Sequence, residues 1–325
     1  MSEHERIVSS ARGVAAVGYK SSVPALFRGD EACARRTFEF FTVNIRNQNT
    51  RKAYARAAID FAAWCEKRAV RDIGQVEPVH VAAYIEGLGL AAPSVKQRLA
   101  ALRMLFDWLV VGQVLSMNPA GSVRGPRFSV SKGRTQVLNA EEARALLDSI
   151  DTNDIIGLRD RALIGLMIYT FARVGAAIGM TVGDVYVQGR RTWIRLHEKG
   201  GKVHEVPCHS QLEAWLHAYV DGASISDCRG VLFQSVTGRS GGLSGKAMAQ
   251  ADVFRMIGRR AMAAGIRTRV GCHSFRATGI TEYLRSGGLL EVAQAMAGHE
   301  SARTTGLYDR RSGQVTHREV ERISI

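Results

Sequence analysis

The chain has few cysteines, and none of them is clustered. Its five cysteines (Cys33, Cys65, Cys208, Cys228 and Cys272) are odd in number and scattered along 325 residues. No C-x-x-C pair or Cys/His cluster occurs, which excludes a zinc site of the usual spacing and a disulfide framework, and leaves reduced thiols. No apolar run approaches the roughly 20 residues of a membrane span. The opening MSEHERIVSSARG carries acidic groups and no apolar core, so it is no secretory signal. There is no internal repeat and no low-complexity tract. Acidic residues are the minority: 44 Lys and Arg face 30 Asp and Glu, a formal net charge of +14. That excess points to a polyanionic partner without choosing among nucleic acid, ribosome and acidic membrane surface. Hydrophobic residues make up 46% of the chain, enough for two domains with real cores.

Residues 1–30 mix Gly, Ser and charges without periodicity and read as a flexible arm. It is shorter than a separate folded domain usually needs. Residues 31–122 read as a helical unit. A helix is expected over about 48–67, with Tyr54, Ala58, Phe61 and Cys65 on one side. Another is expected over about 94–111, with Val95, Leu99, Leu102, Phe106 and Leu109 at helical spacing and Ser94 as its cap. Lys52 and Arg56 stand one turn apart on the first, Lys96 and Arg103 two turns apart on the second. Such faces are often plain solvated surface; two in a small basic unit also suit a surface that tracks phosphates. The stretch 123–137 (VRGPRFSVSKGRTQV) has linker composition. Its charges Arg124, Arg127, Lys132 and Arg134, with the nearby Arg144, suit a strap across a nucleic-acid backbone.

A second domain, 138–325, opens with Asn139 at a cap and Glu142 three residues on. A helix over about 158–178 is apolar nearly all round and belongs in a core. Two strand-like runs, 191–196 and 203–206, flank the turn Glu198-Lys199-Gly200-Gly201-Lys202. Helices are expected over about 246–264, 273–286 and 289–297, the last two stopped by Gly287-Gly288 and Gly298. The fold class is mainly α with a small β-sheet.

Six polar residues in this domain are candidates for chemistry. Arg173 sits among Phe171, Ala172 and Val174, where a charge is costly unless paired or aimed into a cleft. Lys199 lies at a hairpin tip, where most lysines are merely solvated. His273 and Arg276 share a helix face at i, i+3. His299 follows the helix stop at Gly298, and Tyr308 closes the short segment Thr304-Thr305-Gly306-Leu307-Tyr308. Cys272 beside His273 suggests a thiol nucleophile, but sequence neighbours on a helix point about 100° apart, so a buried bystander is the plainer reading. Each residue alone also has a structural explanation. Together, two arginines, a lysine, two histidines and a tyrosine, with no carboxylate pair, describe a pocket for a phosphodiester and a nucleophile.

Their order and spacing resemble the tyrosine recombinase (phage integrase) family. The matching runs are Phe171-Ala172-Arg173-Val174-Gly175, Glu198-Lys199-Gly200-Gly201-Lys202, His273-Ser274-Phe275-Arg276-Ala277-Thr278, Ala297-Gly298-His299-Glu300-Ser301 and Thr304-Thr305-Gly306-Leu307-Tyr308. The resemblance implies an N-terminal helical core-binding domain, a mixed α/β catalytic domain, and site-specific cutting and rejoining of DNA without metal, ATP or cofactor. It implies that Arg173 and Arg276 grip the scissile phosphate and that Tyr308 attacks phosphorus, leaving a 3′-phosphotyrosyl link. Lys199 would protonate the departing 5′-oxygen, with Lys202 as its rival. His273 would assist proton transfer, and His299 would hydrogen-bond the phosphate. It further implies double-stranded DNA as partner, a homotetramer on paired sites held through the tail after Tyr308 (including VTHREVERISI), and a bacterial cytoplasmic, nucleoid-associated setting.

Two positions depart from the family pattern. Ala176 stands where an acidic residue usually follows the first arginine by three positions, and Ala277 where many members have histidine. Both suggest a mobile-element enzyme rather than a housekeeping dimer resolvase. A non-catalytic DNA-binding relative weakened at Ala176, and a type IB topoisomerase, are the other readings.

Overall fold

The computed structural model describes residues 24–29, 31–128, 133, 135–198, 201–238, 241–309 and 321. The first 23 residues, Lys132, Arg134, Lys199 and nearly all of the tail beyond 309 lie outside the described residues. The chain divides into two compact units, Met1–Ser129 and Val130–Ile325.

The first unit is helical. Helix α1 (Glu31–Glu39) widens into a π turn over Phe40–Asn44, and α2 (Gln48–Glu66), α3 (Pro78–Glu86) and α4 (Ala92–Val111) follow. Asn47 starts α2, its Oδ1 accepting from the amides of Asn49 and Thr50, both at 3.1 Å. The core centres on Phe61, which meets Phe106 edge-on with ring centroids 6.0 Å apart. Three expectations need correction. Leu26 and Phe27, assigned to the flexible arm, are buried in this core, because a 3-10 turn over Ala25–Phe27 folds them onto it. Ser94 does not cap α4; the cap is Ala91, and Pro93 lies inside the first turn, where its missing N–H costs nothing. Val123, assigned to the linker, is buried in the same core.

The second unit opens with α5 (Ala140–Asp148), where Asn139 and Glu142 form the expected reciprocal cap. Helix α6 (Ile155–Tyr169) is buried almost all round. The helix expected through residue 178 breaks here. Thr170 ends α6, Phe171 adopts a left-handed φ of 55°, and a separate short helix α7 (Val174–Ile178) begins with Arg173 as its cap. Strands β1 (Val185–Gln188), β2 (Arg191–His197) and β3 (Val203–Pro207) make an antiparallel sheet in that order. Helix α8 (Ser210–Gly222) packs on α6, and β4 (Gln234–Thr237) pairs with β5 (Gly242–Ala247). Helices α9 (Gln250–Ala263), α10 (Cys272–Arg285), α11 (Leu290–Ala297) and α12 (Ala302–Gly306) complete the unit. The helix expected over 246–264 thus starts later, its first residues being taken by β5.

One close contact sets where α10 lies. Gly279 lets α10 approach α6 so nearly that a Cβ there would stand 2.0 Å from the Ile168 carbonyl oxygen and 2.9 Å from the Phe171 ring. A backbone oxygen cannot swing aside as a side-chain tip can. Gly279→Ala is expected to destabilise this unit by about 3 kcal/mol, at the upper end of overpacking costs. A denaturant titration checks it, and a midpoint equal to the parent's would contradict the contact. Among the described residues no helix is long and apolar enough to cross a membrane.

Candidate active site

Arg276 is the hub of the site. It is 1% exposed, yet it carries a guanidinium, so its burial has to be compensated. One terminal nitrogen donates to the Phe171 carbonyl and the other to the Ala297 carbonyl. The first carbonyl immediately precedes Ala172-Arg173; the second immediately precedes Gly298-His299. One side chain on α10 therefore ties down both loops that carry the other candidates. The left-handed turn at Phe171, strained for a non-glycine residue, presents that carbonyl. Burial, then the neighbouring Arg173, draws the Arg276 pKa down to about 10, and it stays charged at neutral pH.

Arg173 begins α7 and is half-exposed, and its Nη1 donates to Glu198 Oε2 at 2.6 Å. His273 is on the first turn of α10, open to solvent on one side, and partial desolvation of its ring, then Arg276 and Arg173, lower its pKa. His299 is held just past Gly298, whose φ of 56° suits the left-handed helix stop. Its amide donates to the Gln294 carbonyl at 3.1 Å, and its Nδ1 lies 2.9 Å from Thr305 Oγ1. Burial first, then Arg276, Arg173 and His273, push its pKa down to about 4.

Tyr308 is buried at 8% exposure within an apolar cluster of Phe171, Ala277, Ile280, Leu284, Ala293 and Ala297. Its ring stacks on that of His299, centroids 6.0 Å apart and planes 9° from parallel. Thr281 Oγ1 donates to the Tyr308 carbonyl at 3.1 Å, and Gly133 N donates to the Leu307 carbonyl at 2.9 Å, fixing the segment on both sides. Ala277 belongs to the same cluster, and its side chain is fully buried.

Five of the six candidates thus share one neighbourhood on Arg276; the sixth, Lys199, lies outside the described residues. The residue before it is described, and its amide closes the turn by donating to the Lys202 carbonyl at 2.7 Å. Lys202 Nζ, the rival to Lys199, is engaged at the surface by Glu300 Oε1 at 2.5 Å. Burial raises the Cys272 thiol pKa, so it is no ready thiolate nucleophile. Sequence reading missed Thr305 and Thr281, which hold the His299 and Tyr308 segments, and Glu198 as a partner of Arg173. Nothing in their local sequence marks them.

The candidate DNA contacts of the first unit divide. Lys52, Lys96, Arg124 and Arg127 are exposed. Arg56 is exposed but paired with Asp60, Nε to Oδ1 2.9 Å. Arg103 is half-buried: it donates to the Ala120 carbonyl at 3.2 Å and to that of Val123, so its guanidinium also anchors the chain leaving α4.

The model of the phage integrase family matches residues 136–314, more than half the chain. The chain belongs to the phage integrase family of tyrosine recombinases. The family's N-terminal SAM-like domain matches residues 35–114. Among curated relatives, tyrosine recombinase XerC of Escherichia coli O127:H6 (strain E2348/69 / EPEC) is 28% identical over 221 residues, 68% of this chain and 70% of that protein. Among solved structures, the XerH site-specific recombinase bound to palindromic difH substrate in a post-cleavage complex shares the fold with a TM-score of 0.68 at 19% identity, covering 94% of this chain and 91% of that one. A lambda integrase (75–356) dimer bound to a COC′ core site gives 0.64 at 18%, covering 88% and 98%. The fold is therefore mainly α with small antiparallel sheets, as expected for this integrase-family chain.

Proposed function

We propose that this integrase-family chain cuts and rejoins double-stranded DNA at a specific site through a 3′-phosphotyrosyl intermediate. The observation that carries the reading is the Arg276 clamp, which brings Arg173, His273 and His299 together beside the Tyr308 ring. Two of the five N–H donors of Arg276 are spent on carbonyls, leaving the rest for a phosphate oxygen. Arg173 adds a half-exposed fork. Two planar guanidiniums at one point match the charge that grows on phosphorus during in-line attack. Tyr308 supplies the oxygen nucleophile, the link conserves the bond energy, and the freed 5′-hydroxyl reverses the step on the partner strand. Lys199 is the acid for that hydroxyl. His299, neutral in the free protein, donates one hydrogen bond to the phosphate while its Nδ1 meets Thr305.

The exposed Lys52, Lys96, Arg124 and Arg127 track DNA phosphates, and the working form is a tetramer on two paired sites, held through the tail. We place the enzyme in a mobile element on the strength of Ala176 and Ala277. The test is a nicked substrate built from inverted repeats flanking the gene. The expected product is a denaturant-resistant protein–DNA adduct whose peptide map identifies Tyr308. Binding to such sites without any adduct would instead support a non-catalytic relative, and relaxation of plasmids lacking the site a topoisomerase.

The depressed His299 pKa gives a pH prediction. In the unfolded chain this histidine titrates near 6.5, and in the fold near 4. Between these values the unfolded state binds more protons, so stability from this group is complete above about 6.5 and falls as pH drops towards 4. Denaturation midpoints across pH 4–7 should fall less steeply for His299→Gln than for the parent. Parallel slopes would contradict the assignment.

A further inference from the structure

Arg173 caps a short helix and has a long, half-exposed side chain with Arg276 and His273 close by. Like charges drive such a side chain outward into solvent unless an anion holds it. The position three residues on, where an acid is expected, is Ala176, buried and without a polar atom. The anion comes from elsewhere in the chain. Glu198, one residue beyond β2, places Oε2 2.6 Å from Arg173 Nη1.

Three features make this pair a built one. The Glu198 side chain is 6% exposed while that of Arg173 is 38% exposed, so the carboxylate takes the buried side of the guanidinium and leaves its open side for another anion. The chain at Glu198 is held on both sides: His197 before it pairs with Val203 in the sheet and places its side-chain Nε2 3.0 Å from Asp184 Oδ1, and the Glu198 amide donates to the Lys202 carbonyl at 2.7 Å. Oε1 is buried and meets no donor among the described residues, so Arg173 makes the direct ion pair that compensates this carboxylate, with the Arg276 charge also acting on it.

We propose that Glu198 is the positioning residue for Arg173, supplying from the end of β2 the carboxylate that Ala176 lacks. Because Glu198 directly precedes Lys199, one ion pair ties the first arginine to the root of the turn carrying the candidate acid. The inference rests on the proposed recombinase reading for its activity test. A carboxylate that merely blocked Arg173 would sit on the open side and be displaced by DNA; Glu198 sits on the closed one.

The experiment compares single-turnover cleavage of the nicked substrate by the parent, Tyr308→Phe, Glu198→Gln, Glu198→Gly and the double variant Ala176→Asp/Glu198→Gly, with melting temperatures measured alongside. Glu198→Gln is expected to lower the saturating rate about 10–100-fold while the half-saturating DNA concentration shifts about threefold or less, as for loss of a group that orients a direct contact. Ala176→Asp should restore about tenfold to the Glu198→Gly protein. If the double variant does not fold, added formate should restore Glu198→Gly in part and leave the parent unchanged. A Glu198→Gln rate within twofold of the parent, a faster one, or a loss that neither route restores would each overturn the proposal while leaving Tyr308 as nucleophile. Absence of any adduct with the parent would instead defeat the recombinase reading. The pairing is then read from arginine side-chain NMR. A slowly exchanging Arg173 guanidinium that vanishes in Glu198→Gln sustains it, and its absence from the parent overturns it.

Discussion

The Tyr308→Phe protein is expected to bind its DNA site as tightly as the parent and to form no covalent adduct. The ring makes the packing contacts: it lies in the cluster with Phe171, Ala277 and Ile280 and stacks on His299. Phenylalanine keeps that packing and removes only the oxygen that attacks phosphorus. Cleavage should fall by roughly 10^4-fold or more, the scale seen when a nucleophile is deleted from an otherwise intact site. A gel shift reads the binding, and denaturing electrophoresis after incubation with the nicked substrate reads the adduct. Adduct at the parent's level would place the nucleophile elsewhere. Normal binding without adduct separates loss of chemistry from loss of fold.

Arg276→Ala should damage chemistry and fold together. The guanidinium meets two carbonyls from loops more than a hundred residues apart, those of Phe171 and Ala297. Deleting it leaves both without their donor in a buried place, at about 1–3 kcal/mol each. A loss near 3 kcal/mol is therefore expected in a denaturant titration. Cleavage should fall roughly 10^3-fold, the cost of removing a main donor to the developing charge. Arg276→Lys keeps the charge but not the fork, because a single ammonium cannot span both carbonyls as a planar guanidinium does. It should recover part of the stability and little of the rate. A parent-like melting curve for Arg276→Ala would contradict the clamp.

The long periodic elements were legible in sequence because their contacts are local and repeat every turn. Helix α2, the cap at Asn139 and Glu142, and the stop at Gly298 follow from spacing and cap chemistry alone. The break at Phe171 was not. Residues 158–178 keep an apolar pattern straight through it, and the left-handed turn is stabilised by a bond from Arg276, 105 residues away. The partners of Arg103 were hidden for the same reason: at helical spacing it looks like surface, and only the returning chain at Ala120 and Val123 supplies them. Leu26 and Phe27 lie in a stretch too short to show a period.

For the site, the order Arg173, Lys199, His273, Arg276, His299, Tyr308 is a property of the sequence, as are the basic charge and the absence of clustered metal ligands. These determine the family resemblance and the class of chemistry proposed for it. Tertiary structure alone decided how the described ones among them are held. It made Arg276 the clamp between two loops, stacked His299 on Tyr308, and set Glu198 against Arg173 where Ala176 has no carboxylate to offer. The physical reason is distance along the chain. Helical period and capping act over a few residues and leave a readable pattern, whereas a buried charge is satisfied by whichever carbonyl or carboxylate the fold brings beside it.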